Sequence, residues 1–163
     1  MIKVGLGQDS HRIVNPSGGK PLILGGVKFD AEFSLEGNSD SDVVLHAVTN
    51  AVSGITGRPI IGPVADGMCQ AGITDSQAYL RAALADLGAM GYQSSHVSVS
   101  LECQKPKILP RIPELRKRLA ELMGLAIGDV GITATSGEGL TDFGKGLGIQ
   151  ALAVLTARLS SPV

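Results

Sequence analysis

Near its start the chain reads GLGQDSHR, in which an acid and a histidine stand two apart. Alternate residues of an extended chain point to the same side, so Asp9 and His11 face one way. A second imidazole, His46, comes from NSDSDVVLHAVTNAVSG, on the polar stripe of a predicted helix, one turn after Asp42 and one before Asn50. Asp, His and His with one position left open is the ligand pattern of a catalytic zinc. Carboxylate and imidazole both bind the ion, and the open position admits a substrate oxygen. Asp42 or Asn50 would then orient the imidazole from behind. The rival reading is local: Asp9 holds a loop amide, His11 caps a turn and His46 is a solvated helix residue. His96 has no acidic or histidine neighbour and reads as a surface residue.

A second stretch, TATSGEGLTDFGKGLG, offers hydroxyls at Thr135 and Ser136, a carboxylate at Glu138, a cation at Lys145 and many unencumbered backbone amides. Such loops wrap phosphates, the amides donating and the lysine balancing charge. A lone carboxylate beside phosphates suits a magnesium ion, which keeps phosphate and water ligands. A flexible glycine loop is the equal alternative, and the spacing is neither a Walker loop nor a dinucleotide fingerprint. In CQKPKILPRIP, an extended segment between prolines carries Lys105 and Lys107. Its backbone groups could read a flat base edge; taken alone it reads as a strand-to-helix connector.

These groups need rigid elements to hold them. Ile2, Val4 and Leu6 alternate with Lys3, Gly5 and Gly7, the period of a half-buried strand. KPLILGGVKF is a strand pair broken at Gly25 and Gly26. Ser39 and Asp42 resemble a capping box ahead of a helix whose stripe is Val44, Leu45, Val48, Val52 and Ile55. From Gly54 to Thr74, glycine and proline without a sustained period predict a mobile surface loop and a candidate lid. TDSQAYLRAALADLGAMGY predicts a helix with Leu80, Leu84 and Leu87 inward. HVSVSLEC predicts a strand with Val97, Val99, Leu101 and Cys103 inward. Pro113 and Gly124 bracket a further helix with Leu115, Leu119 and Leu122 on its core side. VGITAT and IQALAVLTARL are two more strands, the last apolar on both faces. Such a strand needs cover on each side. The expected fold is therefore two-layer α/β, with helices on one face of a sheet and a partner subunit on the other.

Composition narrows the function. The 163 residues predict one domain, and with 44% apolar and 18% charged residues the chain should fold throughout. Aromatics are 3% with no Trp, so the core is built from small aliphatic side chains. A net charge of -1 offers no basic face for nucleic acid or for anionic lipid. The two cysteines, Cys69 and Cys103, have no metal-finger spacing, and a reducing cytoplasm fits them. No segment approaches a bilayer-spanning run.

Taken together, GLGQDSHR, ILGGV, NSDSDVVLHAVTNAVSG, GITDSQAYL, KPKILPRIPELRKRLAE and ITATSGEGL, in this order, resemble the 2-C-methyl-D-erythritol 2,4-cyclodiphosphate synthases of non-mevalonate isoprenoid biosynthesis. The resemblance spans essentially the whole chain. It implies an α+β domain over 1–163, with sheets packed around the axis of a homotrimer and active sites between subunits. It implies a metal-dependent cyclising lyase that turns 4-diphosphocytidyl-2-C-methyl-D-erythritol 2-phosphate into the cyclic diphosphate and CMP. Asp9, His11 and His46 are the implied zinc ligands, and Glu138 the implied ligand of a magnesium or manganese ion. The cytidine is implied to rest on Cys103, Gln104, Lys105, Pro106, Lys107, Ile108 and Leu109, with Ala134 and Thr135, largely through backbone groups. Asp9, His11, Asn38, Ser39, Gly62 and Asp66 line the remaining substrate positions, Ser136 lies near the transferring phosphate and Lys145 near the CDP phosphates. Asn38, Ser136 and Glu138 are the implied catalytic positions.

This sequence departs from the family pattern at three places. Asn38 stands where family members carry His, and an amide donates a hydrogen bond without carrying a proton's charge. Asn50 replaces a usual Asp. Ile60 stands at the Asp that would hold ribose hydroxyls, within RPIIGPVAD. Two other functions share the same residues: a metal-dependent phosphohydrolase, and a non-catalytic cytidine-nucleotide-binding trimer.

Overall fold

The computed structural model describes residues 1–160; residues 161–163, which end the predicted domain, lie outside the described residues. In chain order the elements are β1 (Ile2–Val14), β2 (Leu22–Leu24), β3 (Val27–Phe29), β4 (Ser34–Leu35), α1 (Val43–Thr56), α2 (Pro63–Gln70), α3 (Ser76–Ala89), β5 (Tyr92–Glu102), α4 (Ile112–Met123), β6 (Val130–Thr135) and β7 (Gly148–Leu159). Five strands make one mixed sheet in the order β4-β1-β7-β5-β6, and β2 with β3 forms a separate hairpin. Strand β7 is antiparallel to β1 and to β5, whereas β5 and β6 are parallel and joined through α4. A parallel pair needs such a crossover. The fold is α+β, with the helices on one face of the sheet.

The core lies between sheet and helices. Val97, Val99 and Leu101 of β5 and Ala151, Ala153 and Leu155 of β7 are fully buried there. Helix α4 begins at Ile112 with Pro113 in its first turn and ends at Gly124, whose φ of 65° takes the left-handed cap. On β7 the second apolar set, Leu152 and Val154, stays 39% and 40% exposed.

Strand β1 alternates as its sequence predicts, and its buried side is the glycine side. Gly5 and Gly7 are buried, whereas Ile2, Val4 and Leu6 are 72%, 63% and 67% exposed. Helix α1 crosses β1 so closely that a Cβ on Gly5 would lie 2.0 Å from the Ala51 carbonyl oxygen. One on Gly7 would lie 1.9 Å from that of Ala47. Only glycine permits that approach. Its consequence is functional: Asp9 and His11 continue the same strand face, and His46 is the helix residue just before Ala47.

Two local expectations change. The helix cap is Asp42, not Ser39: its carboxylate accepts from the amides of Val44 and Leu45 at 3.1 and 3.0 Å. The same carboxylate accepts from Gly25 and Gly26 at 2.8 and 2.7 Å, tying the β2–β3 hairpin to the helix start. Full burial pushes the Asp42 carboxyl up to about 6, with the amide hydrogen bonds pulling against it. The second change is the stretch 54–74, which contains helix α2 rather than a continuous loop. Gly62, at a φ of 119°, turns the chain, and Pro63 occupies the first helical turn. Ala65 is buried, and Val64 and Met68 pack against the core. Ile60 is fully buried, so the position holds an apolar anchor rather than a hydroxyl-binding group.

Candidate active site

Strand β1 and helix α1 bring three donor atoms together. Asp9 Oδ2 lies 2.9 Å from His11 Nε2 and 3.1 Å from His46 Nδ1, and the two ring nitrogens are 3.2 Å apart. Around a four-coordinate ion with bonds of about 2.0–2.1 Å, neighbouring donors sit about 3.3 Å apart. The trio is spaced as a ligand set. His46 is buried, not solvated on an outer stripe, because α1 turns this side toward β1.

The ring of His11 is aimed. Its Nδ1 lies 2.6 Å from the Glu36 carbonyl, which can only accept, so Nδ1 carries the proton and Nε2 presents a bare lone pair to the cluster. Partial burial pushes the Asp9 carboxyl up, but when the rings of His11 and His46 are protonated their N–H bonds and charge prevail and hold it below its usual 3.8. Burial pulls the His11 imidazole down, but the hydrogen bond and charge of Asp9 prevail and hold it above its usual 6.5. The cluster therefore attracts positive charge, and these residues fit a metal ion.

Proton and ion compete for His11, which gives a sign to the pH dependence. Ligation needs the unprotonated ring, and its proton leaves only above a raised pKa. Affinity for a divalent ion, with zinc as the probe, is therefore expected to fall on acidification from a pH already above 6.5, by about tenfold per unit for one displaced proton. Chelator competition at a series of pH values checks this; an affinity that is flat from about pH 8 to about pH 6 contradicts it.

The trio opens on a cavity of about 250 Å³ lined also by Gly37, Asn38, Ser39, Ile61, Gly62, Ala65, Asp66, Cys69 and Tyr79. The Cys69 thiol donates to the Asn38 carbonyl at 3.3 Å, so α2 braces the loop that carries Asn38. A separate pocket of about 310 Å³ is lined by Cys103, Gln104, Pro106, Lys107, Ile108, Leu109, Pro110, Ala134, Thr135 and Ser136. It lies where β5 and β6 end side by side. Lys105 is turned away from it, with Nζ 4.8 Å above the Phe33 ring. Glu138 is exposed beside this pocket, at a left-handed φ of 50°, and accepts from the Ser136 hydroxyl at 3.2 Å. Lys145 is exposed, with Nζ 3.8 Å from Asp142. The two pockets share no lining residue. Within one chain, the residues predicted for one site are thus divided between two.

A model of the YgbB family matches residues 2–158. The chain belongs to the YgbB family. The 2-C-methyl-D-erythritol 2,4-cyclodiphosphate synthases of Chlamydia trachomatis serovar A and Chlamydia caviae are each 47% identical to it over 157 residues. That is 96% of this chain and 88% and 89% of theirs. A solved 2C-methyl-D-erythritol-2,4-cyclodiphosphate synthase is 30% identical, with a TM-score of 0.85 over 96% of this chain and 100% of its own. Another, in a CDP-bound form, is 28% identical with a TM-score of 0.82 over the same shares.

In this YgbB chain the residues behind the trio differ from the expected ones. Asp42 is spent on the helix cap, and the Asn50 side chain donates to the Gln8 carbonyl at 3.1 Å. Neither side chain bonds to the His46 ring. Ser76 does, with Oγ 2.8 Å from His46 Nε2. Lys20 is a second group that local spacing does not reveal. Its Nζ donates to the carbonyls of Leu35 and Gly37 at 2.8 and 3.1 Å and to Ser41 Oγ at 2.7 Å, pinning the segment before α1. The only sequence signal for Ser76 is its place among the cap-type residues of TDS, and nothing in the local sequence marks Lys20.

Proposed function

We propose that this chain converts 4-diphosphocytidyl-2-C-methyl-D-erythritol 2-phosphate into 2-C-methyl-D-erythritol 2,4-cyclodiphosphate and CMP, as a cytoplasmic enzyme of non-mevalonate isoprenoid biosynthesis. One observation carries the reading: in a YgbB chain, three metal donors 2.9–3.2 Å apart line a cavity bordered by hydrogen-bonding groups. The 2-phosphate oxygen attacks the β-phosphorus, the bond from that phosphorus to the bridging oxygen breaks, and CMP leaves with the electron pair. A phosphate is already ionised at neutral pH, so no general base is needed. The obstacle is repulsion between two anions and the charge growing on CMP. Zinc on Asp9, His11 and His46 and magnesium or manganese on Glu138, when bound, would neutralise that charge.

The protein's own groups supply position and hydrogen bonds. Cys103, Gln104 and Pro106 to Leu109, with Ala134 and Thr135, form a recess of a size for a pyrimidine ring, its backbone groups reading the base edge. The Ser136 hydroxyl and the Lys145 ammonium face the phosphates, and Asn38 and Ser39 donate from the far side of the metal cavity. Gly62 and Asp66 border the same cavity. Alignment of attacking and leaving oxygens supplies much of the rate.

We further read the chain as one synthase domain that works as a homotrimer. Ile2, Val4 and Leu6 of β1 and Leu152 and Val154 of β7 form an exposed apolar face on the side of the sheet away from the helices. A contiguous patch of this kind marks an interface. The division of the site between two pockets supports the same reading, since a neighbour's nucleotide recess would complete each metal cavity. Free Cys69 and Cys103 accord with a reducing compartment, and among the described residues no helix is long and apolar enough to cross a membrane.

Glu138→Gln is expected to weaken the response of turnover to magnesium by about tenfold or more while nucleotide affinity changes little, because the amide loses the charge and keeps the shape. Magnesium titrations that coincide for variant and parent contradict that role. Phosphorus NMR of the diphosphocytidyl substrate with zinc and magnesium tests the reaction itself. CMP with a cyclic diphosphate is expected. A ring-opened phosphate would indicate the phosphohydrolase, and nucleotide bound with no CMP formed would indicate the sensing trimer.

A further inference from the structure

Behind the metal cluster lies a chain of buried and part-buried hydrogen bonds that the reaction itself does not use. His46 Nε2 lies 2.8 Å from Ser76 Oγ, Ser76 Oγ donates to Asp40 Oδ1, and the Ser76 amide donates to Asp40 Oδ2 at 3.0 Å. Ser76 is fully buried at the start of α3. Asp40 is fixed from two further directions: Oδ1 also accepts from the Asp42 amide at 3.1 Å, and its own amide donates to the Thr74 carbonyl at 2.9 Å.

Counting protons assigns the direction of each bond. A hydroxyl has one proton, and an ionised carboxylate has none to give. The Ser76 proton is therefore committed to Asp40, which leaves Ser76 Oγ only lone pairs to offer His46. The ring must bring the proton, so Nε2 carries N–H. Nδ1, the atom 3.1 Å from Asp9 and 3.2 Å from His11, is then bare.

We propose that Ser76 and Asp40 are positioning residues of the metal centre: together they hold the His46 proton on Nε2 and so present Nδ1 as the ligand. The proposal rests on the reading of Asp9, His11 and His46 as a metal site. With the Glu36 carbonyl acting on His11, both imidazoles have their tautomer set from behind by an acceptor. Asp40 also roots the segment that carries Asn38 and Ser39, two residues and one residue before it. One carboxylate thus orders a metal ligand and the far wall of the substrate cavity together. Partners of this kind are worth about 10–100-fold in metal affinity.

The test is zinc affinity of the full-length protein by chelator competition, in the parent, His46→Ala, Ser76→Ala and Asp40→Asn. Ser76→Ala is expected to bind zinc about 10–100-fold more weakly than the parent, with the metal-free protein melting close to the parent. Asp40→Asn, which keeps an oxygen for the Ser76 hydroxyl but sets an NH2 against the Ser76 amide, is expected to bind zinc more weakly than the parent. If His46→Ala loses zinc while Ser76→Ala and Asp40→Asn bind it as tightly as the parent, the proposal is overturned and the metal site stands. A parent that binds no zinc overturns both. Nitrogen-15 NMR of the histidine rings in the zinc-loaded parent gives a readout that needs no variant. The His46 ring proton is expected on Nε2, slow to exchange with solvent, and finding it on Nδ1 overturns the proposal.

Discussion

Replacing His46 by alanine is expected to leave a folded chain that retains no stoichiometric zinc and releases CMP about a thousandfold more slowly than the parent, a loss of about 4 kcal/mol in transition-state stabilisation. The argument runs from the donor count. His46 Nδ1 is one of three donor atoms held 2.9–3.2 Å apart, and removing it leaves a carboxylate and one imidazole, fewer than the three protein ligands of a catalytic zinc. The fold does not depend on the imidazole in the same way. The helix keeps its Asp42 cap and its seat on Gly5 and Gly7, and alanine has the higher helix propensity. Ser76 keeps its partner in Asp40. Zinc content by atomic absorption, CMP by chromatography and the thermal midpoint by circular dichroism separate these effects. Stoichiometric zinc with parental turnover would remove His46 from the site.

A methyl group buried beneath helix α1 should do comparable harm. Gly7→Ala is expected to lower the melting temperature by about 6–12 °C, corresponding to about 3 kcal/mol in a chain of this size, and to abolish tight zinc binding as well. The added Cβ would lie 1.9 Å from the Ala47 carbonyl oxygen and 2.3 Å from the Ala51 amide nitrogen. Both are helix backbone, which cannot rotate away as a side chain can. Helix α1 must therefore withdraw by about 1.5 Å to reach an ordinary contact distance. His46 is the residue before Ala47, and Asp9 is the next residue on the same strand face, so the retreat opens the gap between imidazole and carboxylate. Gly88→Ala is the control. It lies inside α3 with nothing within 4 Å of the new methyl, and is expected to be neutral or stabilising by about 0.5–1 kcal/mol. Should Gly7→Ala melt with the parent and hold zinc, the close seat of α1 on β1 is not what builds the site.

The contrast between those two glycines shows what the sequence could and could not reveal. Alternation along β1 gives the period of the strand but not its phase, because a glycine carries no side chain to mark the buried side. Only the approach of α1 decides it. The spacing of Asp9 and His11 and the helical setting of His46 were legible because period two and period 3.6 are local properties. So were the inward positions of β5 and the Pro113 and Gly124 ends of α4. Helix α2 was not, since eight residues give barely two turns of period and its flanking glycine and proline also mark loops. In the run SDSD any of four residues could cap α1. Asp42 does so because it serves the hairpin amides of Gly25 and Gly26 as well, a contact the local sequence does not contain. The bonds from Ser76 to His46 and Asp40 span 30 and 36 residues, beyond the reach of any spacing rule.

Anomalous diffraction at the zinc edge, from crystals of zinc-loaded protein that still turns over substrate, tests the metal site most directly. One peak per chain is expected, bounded by Asp9 Oδ2, His11 Nε2 and His46 Nδ1. Active protein whose zinc lies elsewhere, or whose three side chains close on one another with no ion between them, would contradict it.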